Sequence, residues 1–169
     1  MIACNYYSGE PVTGLEEGRP MFLRRPDSHL GLANFMRSHL YASLATLKIG
    51  LDILLKEEDV KIDSITGHGG LFKTKGVGQS ILAAAMNAPI SVMETAGEGG
   101  AWGMALLAAY MLSKKDGQSL GDYLDSRVFA DASSSTLMAQ PEDIEGFNAF
   151  LNRYKATFPS EIAAVEGLR

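Results

Sequence analysis

The sequence predicts an α/β fold, with parallel strands joined by helical crossovers, and an incomplete one: few strands and several helices. Three observations lead there. From residue 28 onward the patterns run helix, strand, glycine-rich loop, helix, strand, helix. The two convincing strand candidates in that stretch are short and bounded by glycine or proline. The helical segments carry more apolar surface than two strands can cover. Either residues 1–26 add strands, or the chain is one piece of a larger protein.

At 169 residues, 46% hydrophobic and 21% charged, the chain suits one domain or one lobe. Its net charge of −5 gives no basic footprint for a nucleic-acid partner, and its lysines and arginines form no stripe. Cys4 is the single cysteine, which excludes an internal disulfide and fits a cytoplasmic home. It lies in the strand-like stretch "IACNYY" without an evident base and orienter, so it reads as structural. No segment reaches the ~18 consecutive apolar residues of a membrane span. The start, "MIACNYYSGE", has neither the positive region nor the apolar core of a secretory signal.

Residues 1–27 are interrupted by Gly9, Pro11, Gly14, Gly18, Pro20 and Pro26, and read as loop with short extended pieces. "RPMFLRR" (Arg19 to Arg25) is the best strand among them. Ser28 to Glu58 has no proline, and Leu40, Leu44, Leu47, Leu51 and Leu54 recur every three or four residues, one stripe of a long amphipathic helix. Asp27 or Ser28 is its expected N-cap. "VKIDSITG" (Val60 to Gly67) is β-branched and ends in glycine, favouring a short buried strand. After the loop, Val77 to Asn87 reads as helix, and "PISVME" as a strand entered through Pro89.

"EGGAWGMALLAAYMLSKK" reads as a small-residue helix packed tightly against something, with Lys114 and Lys115 at the end where its dipole favours cations. The last third is more polar. "GQSLGDYLDSR" suggests a short helix, "VFADASSSTLMAQ" a strand or extended crossing, and "PEDIEGFNAFLNRYKATF" a final helix. That helix has Pro141 near N1, Glu142 and Asp143 in its first turn, and Phe147, Phe150 or Leu151, and Tyr154 on one face. The run Ser133–Ser135 is too short to count as low complexity.

The stretch "ITGHGGLFKTKGVGQSILAAAMNAPI" carries the chemistry. Glycines between a strand and a helix let the main chain approach a phosphate or nucleotide, and the amides opening a helix favour an anion. Neither G-x-x-x-x-G-K-[ST] nor G-x-G-x-x-G is present. On spacing alone a ligand loop and a merely tight turn both stand. The second cluster, Gly97 to Gly103, either approaches a nucleotide or packs a helix onto a sheet, the latter being favoured; Trp102 is expected to pack rather than stack on a base. His29, His39 and His68 have no metal-ligand spacing, and nothing marks a general base. The site looks like half of one.

These residues resemble the adenosine-side region of the FGGY carbohydrate kinases, above all the ribulokinase and xylulokinase branch. The resemblance rests on Gly67, Gly69, Lys73, Gln79, Pro89, Glu98, Ala101, Gly103 and Ala105. "YYSGEP" (Tyr6 to Pro11), the helix from Ser28 and "DIEGFNAFLNRYKA" extend it over most of the chain. It implies that residues 1–169 are the C-terminal nucleotide-binding lobe of a ribonuclease H-like (actin-like ATPase) fold, with 1–27 as a lead-in. Such kinases bind ATP with Mg²⁺ in a cleft between two lobes, and the sugar on the other side.

By that carry-over Gly67, Gly69, Gly70, Lys73, Thr74 and Gln79 would lie beside the nucleotide. The substrate would be a ketopentose (xylulose- or ribulose-like) or a relative. The family's catalytic aspartate and glycine–threonine turn match nothing in this chain, so no catalytic residue is expected here and the chain alone should not phosphorylate a sugar. The family's paired glycine is replaced by Gly67-His68-Gly69. A homodimer through an exposed sheet edge is a further expectation. Two other readings compete. One is a non-catalytic nucleotide-binding or assembly module; the other is a dinucleotide-binding domain, which lacks the acidic ribose partner ~20 residues beyond its turn.

Overall fold

A computed structural model of the chain describes every residue except Thr95, Ala96, Glu98 and Arg169. The chain divides into two compact units, Met1–Ile62 with Ala84–Asn87 and Ala139–Arg169, and Asp63–Ala83 with Ala88–Met138. Among the described residues no helix is long and apolar enough to cross a membrane.

In the first unit, strands β1 (Ile2–Cys4) and β2 (Met21–Leu23) pair antiparallel, Ala3 opposite Phe22. The lead-in thus supplies two strands, but they form a sheet of their own and do not extend the sheet of β-strands that follows residue 60. Helix α1 spans Leu32–Lys56, shorter at its start than predicted. Neither Asp27 nor Ser28 caps it: the Ser28 hydroxyl accepts the Arg25 N–H at 3.0 Å within a separate turn, and Gly31 occupies the N-cap without a side-chain bond.

The predicted leucine stripe is only partly the buried one. Leu44 is buried, but Leu47 and Leu54 are exposed, and the face turned inward is Ser38, Tyr41, Ala42, Leu44, Ala45 and Lys48. Small residues let α1 sit close to β1 and to α5 (Pro141–Lys155). Opposite lie Phe147, Phe150, Leu151 and Tyr154, all buried as their spacing requires. Tyr41 packs its ring against Phe147 and Phe150, at centroid distances of 5.1 and 5.3 Å. A further helix, α6 (Phe158–Gly167), follows; the sequence reading ended in α5.

Polar groups are threaded through this core. Cys4 is buried with its Sγ 3.6 Å from Thr157 Oγ1, and burial pushes the thiol pKa up, which suits a structural thiol. The Tyr154 hydroxyl donates to that of Tyr6, which lies 3.0 Å from Thr46 Oγ1. Fully buried Glu161 accepts the Arg19 N–H. On α1, Asp52 lies 2.7 Å from Lys48 Nζ and 2.9 Å from Lys56 Nζ. His39 is flanked by the Phe22 and Phe35 rings and reaches Asn5 Oδ1 at 3.0 Å.

The second unit is built on a three-stranded sheet ordered β3-β4-β5. Strand β3 (Ile65–Gly67) is parallel to β4 (Ile90–Met93), with Thr66 opposite Ser91, and helix α2 (Val77–Met86) connects them. That is the predicted crossover unit. The predicted strand from Val60 is reduced to its last residues; Lys61 and Asp63 are exposed and Asp59 takes a positive φ of 50°. β5 (Ser134–Leu137) returns antiparallel along β4, with Ser135 opposite Val92.

Helix α3 (Gly99–Ser113) departs most from expectation. A helix apolar on every side should be buried, yet no described residue of α3 is, and Met104, Met111 and Leu112 are 70%, 76% and 90% exposed. Close packing of the glycine cluster holds only at its start: a Cβ at Gly97 or Gly99 would come within 3.2 Å of Lys73 or 3.1 Å of His68, whereas at Gly100 and Gly103 it would meet nothing within 4 Å. Trp102 does pack, edge-on to Phe129 at 5.8 Å. Lys114 follows the helix end and lies over the Tyr110 ring. The short helix α4 (Leu120–Tyr123) is capped by Ser119 and passes into a π turn over Leu124–Val128.

Candidate functional site

In the second unit β3 and β4 are parallel, so both carboxyl ends point the same way, and a cleft of about 370 Å³ opens beyond them. Open α/β sheets bind ligands at that end, where the loops leave the strands. One side of the cleft is the segment Phe72–Gly76 before α2; the other is Ser133–Ser135; Val92, Met93 and Glu94 close the end of β4.

The loop takes its shape from two glycines. At Gly67 a Cβ would come within 2.3 Å of the Phe72 ring, so the absence of a side chain lets Phe72 fold over the strand end. Gly69, at φ 104° and ψ −174°, has a backbone that side chains disfavour, and it launches the 3-10 turn Gly70–Phe72. This turn delivers Lys73, Thr74 and Lys75 to the cleft. The Lys73 stem lies against Gly97, where a Cβ would be 3.2 Å from its Cγ.

Gln79 forms part of the cleft lining and is 6% exposed. Its Nε2 donates to the Ile90 carbonyl at 2.7 Å and the Ser135 carbonyl at 2.8 Å, while its Oε1 accepts from the Ser135 hydroxyl at 3.4 Å. One amide therefore fastens α2 to both β4 and β5. A buried amide with its hydrogens satisfied is a fixed surface.

The sequence-predicted residues thus separate. Lys73, Thr74 and Gln79 line the cleft together; Gly67, Gly69 and Gly70 shape its loop without lining it. His68 is exposed and lies beside Gly99. Glu98, one of the residues on which the family resemblance rests, falls outside the described residues. The structure adds Lys75, Gly76, Glu94 and Ser133–Ser135. Gly76, at φ 79°, had a signal in the sequence, being the last glycine before the helix. The serines had none except their place on a strand paired with β4.

This geometry can hold an elongated anionic ligand. Lys73, Lys75 and Ser133–Ser135 line the same space, and the cleft reaches the residues that open α2, where backbone amides favour negative charge. Glu94 is a carboxylate on the cleft lining. An Mg²⁺ ion fits that setting, since it is held by one or two carboxylates together with phosphate oxygens and water.

A family profile described as the FGGY family of carbohydrate kinases, C-terminal domain, matches residues 1–112. No curated protein matches the chain by sequence. Among solved structures, a ligand-bound xylulose kinase from Lactobacillus acidophilus superposes with a TM-score of 0.70 at 20% identity, over 99% of this chain and 32% of its own. A gluconate kinase from Lactobacillus acidophilus gives 0.70 at 19% identity, with the same coverage. The fold is therefore that of the ribonuclease H-like, actin-like ATPase class, and the chain spans about a third of the length of those two proteins.

Proposed function

The chain belongs to the FGGY family of carbohydrate kinases, and from that premise we propose that the cleft beside the glycine loop binds ATP. Residues 1–169 would then be the C-terminal nucleotide-binding lobe of a kinase that transfers the γ-phosphoryl group to a hydroxyl of a ketopentose or a related sugar, in the cytoplasm. The observation that carries the reading is the placement of Lys73, Thr74 and Lys75, at the carboxyl ends of parallel strands and directly before a helix.

In this reading Lys73 and Lys75 meet phosphate charge, and the serine hydroxyls and loop amides supply further donors. Gln79 keeps the floor rigid. Glu94 is the carboxylate of this cleft that would hold Mg²⁺, and the ion would supply neutralisation of phosphate charge. The base that accepts the sugar proton comes from outside this chain.

Calorimetric titration of the whole protein with ATP and Mg²⁺ tests this. Lys73→Ala removes a charged hydrogen bond and should weaken binding about tenfold or more. Ser134→Phe fills the cleft and should weaken it further. Unchanged affinity in both variants would remove the site assignment. A second reading, a non-catalytic nucleotide-binding module, separates by turnover: ATP binding without sugar-dependent ADP release would favour it.

A further inference from the structure

A second cavity, of about 280 Å³, lies in the first unit, lined by one face of α1, one of α5 and Met1. Asn34, Arg37 and Tyr41 line it from α1, and Gly146, Phe150 and Arg153 from α5. Both sets follow helical spacing, so each helix presents a continuous face. The cavity persists because position 146 has no side chain, and a Cβ there would meet nothing within 4 Å. Its floor is aromatic: the Tyr41 and Phe150 rings meet edge to face and are 9% and 4% exposed.

Its chemistry is one-sided. Arg37 and Arg153 are both exposed, and no acidic side chain is among the described residues that line the cavity. Neither arginine has an ion pair among the described residues, although acidic residues outnumber basic ones, 20 to 15. Asn34 donates one amide hydrogen to the His29 carbonyl at 3.1 Å and keeps a second. Two guanidinium forks over a hydrophobic floor match a phosphate group attached to a small body that can cover the rings.

We propose that the α1–α5 cavity binds a phosphomonoester, with Arg37 and Arg153 holding the phosphate and Tyr41 and Phe150 covering the organic group. This site is separate from the glycine-loop cleft and does not depend on the ATP reading.

Calorimetry with phenyl phosphate on the whole protein tests it, with circular dichroism to confirm folding of each variant. The expected result is saturable one-site binding, at least tenfold weaker in the double variant Arg37→Gln with Arg153→Gln. Both side chains are exposed, so folding should survive. Gly146→Leu, which fills the cavity and raises helix propensity, should abolish binding. Inorganic phosphate should bind at least severalfold more weakly, having nothing to cover the rings; equal affinity overturns the ester assignment. Absence of saturation, or unchanged affinity in the double arginine variant, overturns the site. Binding lost in Lys73→Ala but kept in the arginine variant would place the phosphate in the glycine-loop cleft and overturn it too.

Discussion

Helices α5 and α3 are both 15 residues long and use apolar residues in opposite ways. α5 is mostly polar, yet Phe147, Phe150, Leu151 and Tyr154 fall on one face and are all buried. α3 is nearly all apolar and buries no described residue. The contrast shows that burial follows phase and partner more than content. In α5 polar residues on three sides leave one way to pack. In α3 no side differs from another, so the sequence defines no face.

Substitutions can break or sharpen this contrast. The largest effect belongs to Phe147→Ala, which removes a ring with 0% exposure from the centre of the first unit. Urea denaturation should record a loss of about 3–5 kcal/mol. A loss below ~1 kcal/mol would mean that the α1–α5 core is loosely packed. A smaller effect is expected at the polar edge of the same unit. Burial raises the Asp52 pKa, but the hydrogen bonds from Lys48 and Lys56 outweigh it and hold the carboxyl below its ordinary value. A lowered folded-state pKa means stability that is present above the unfolded value of 3.8 and lost as pH falls through the folded one. Asp52→Asn should therefore cost about 0.5–1 kcal/mol at neutral pH and little in strong acid. A cost that does not change with pH would refute the ion-pair account. The smallest effect is expected on α3: Leu112→Ser should move stability by less than ~0.5 kcal/mol, where the same change in a core helix would be severe. A loss of 2 kcal/mol would show that α3 is covered in solution.

The same contrast explains what could be read from the sequence. The unit β3–loop–α2–β4 was legible because its signals are local: β-branched residues, then Gly67 and Gly69, then an unbroken apolar run, then Pro89. α5 was legible for a similar reason, with Pro141 and two acids marking its start. The exposure of α3 was not, since composition cannot show whether a partner is present. The start of α1 was misread because Ser28 is a good cap by type, and only the fold shows its hydroxyl engaged in a turn. α6 was missed although Pro159 stands in its first turn, because the aromatic pattern of α5 ends just before it. In the cleft, Lys73, Thr74 and Gln79 could be found in the glycine-rich stretch itself. Ser133–Ser135 could not, because strand pairing brings them there from more than 50 residues away.

Gln79 has one more consequence. Its amide hydrogens both end on main-chain carbonyls, Ile90 and Ser135, so at Gln79 the base of the cleft has no donor left to offer a guest. Under the ATP reading, discrimination between guests would fall to the other lining residues, the Phe72–Gly76 segment and Ser133–Ser135. Exchanges among them can retune what is accepted while the amide clamp beneath keeps strand and helix in register. The frame and the taste of the pocket can thus be altered separately.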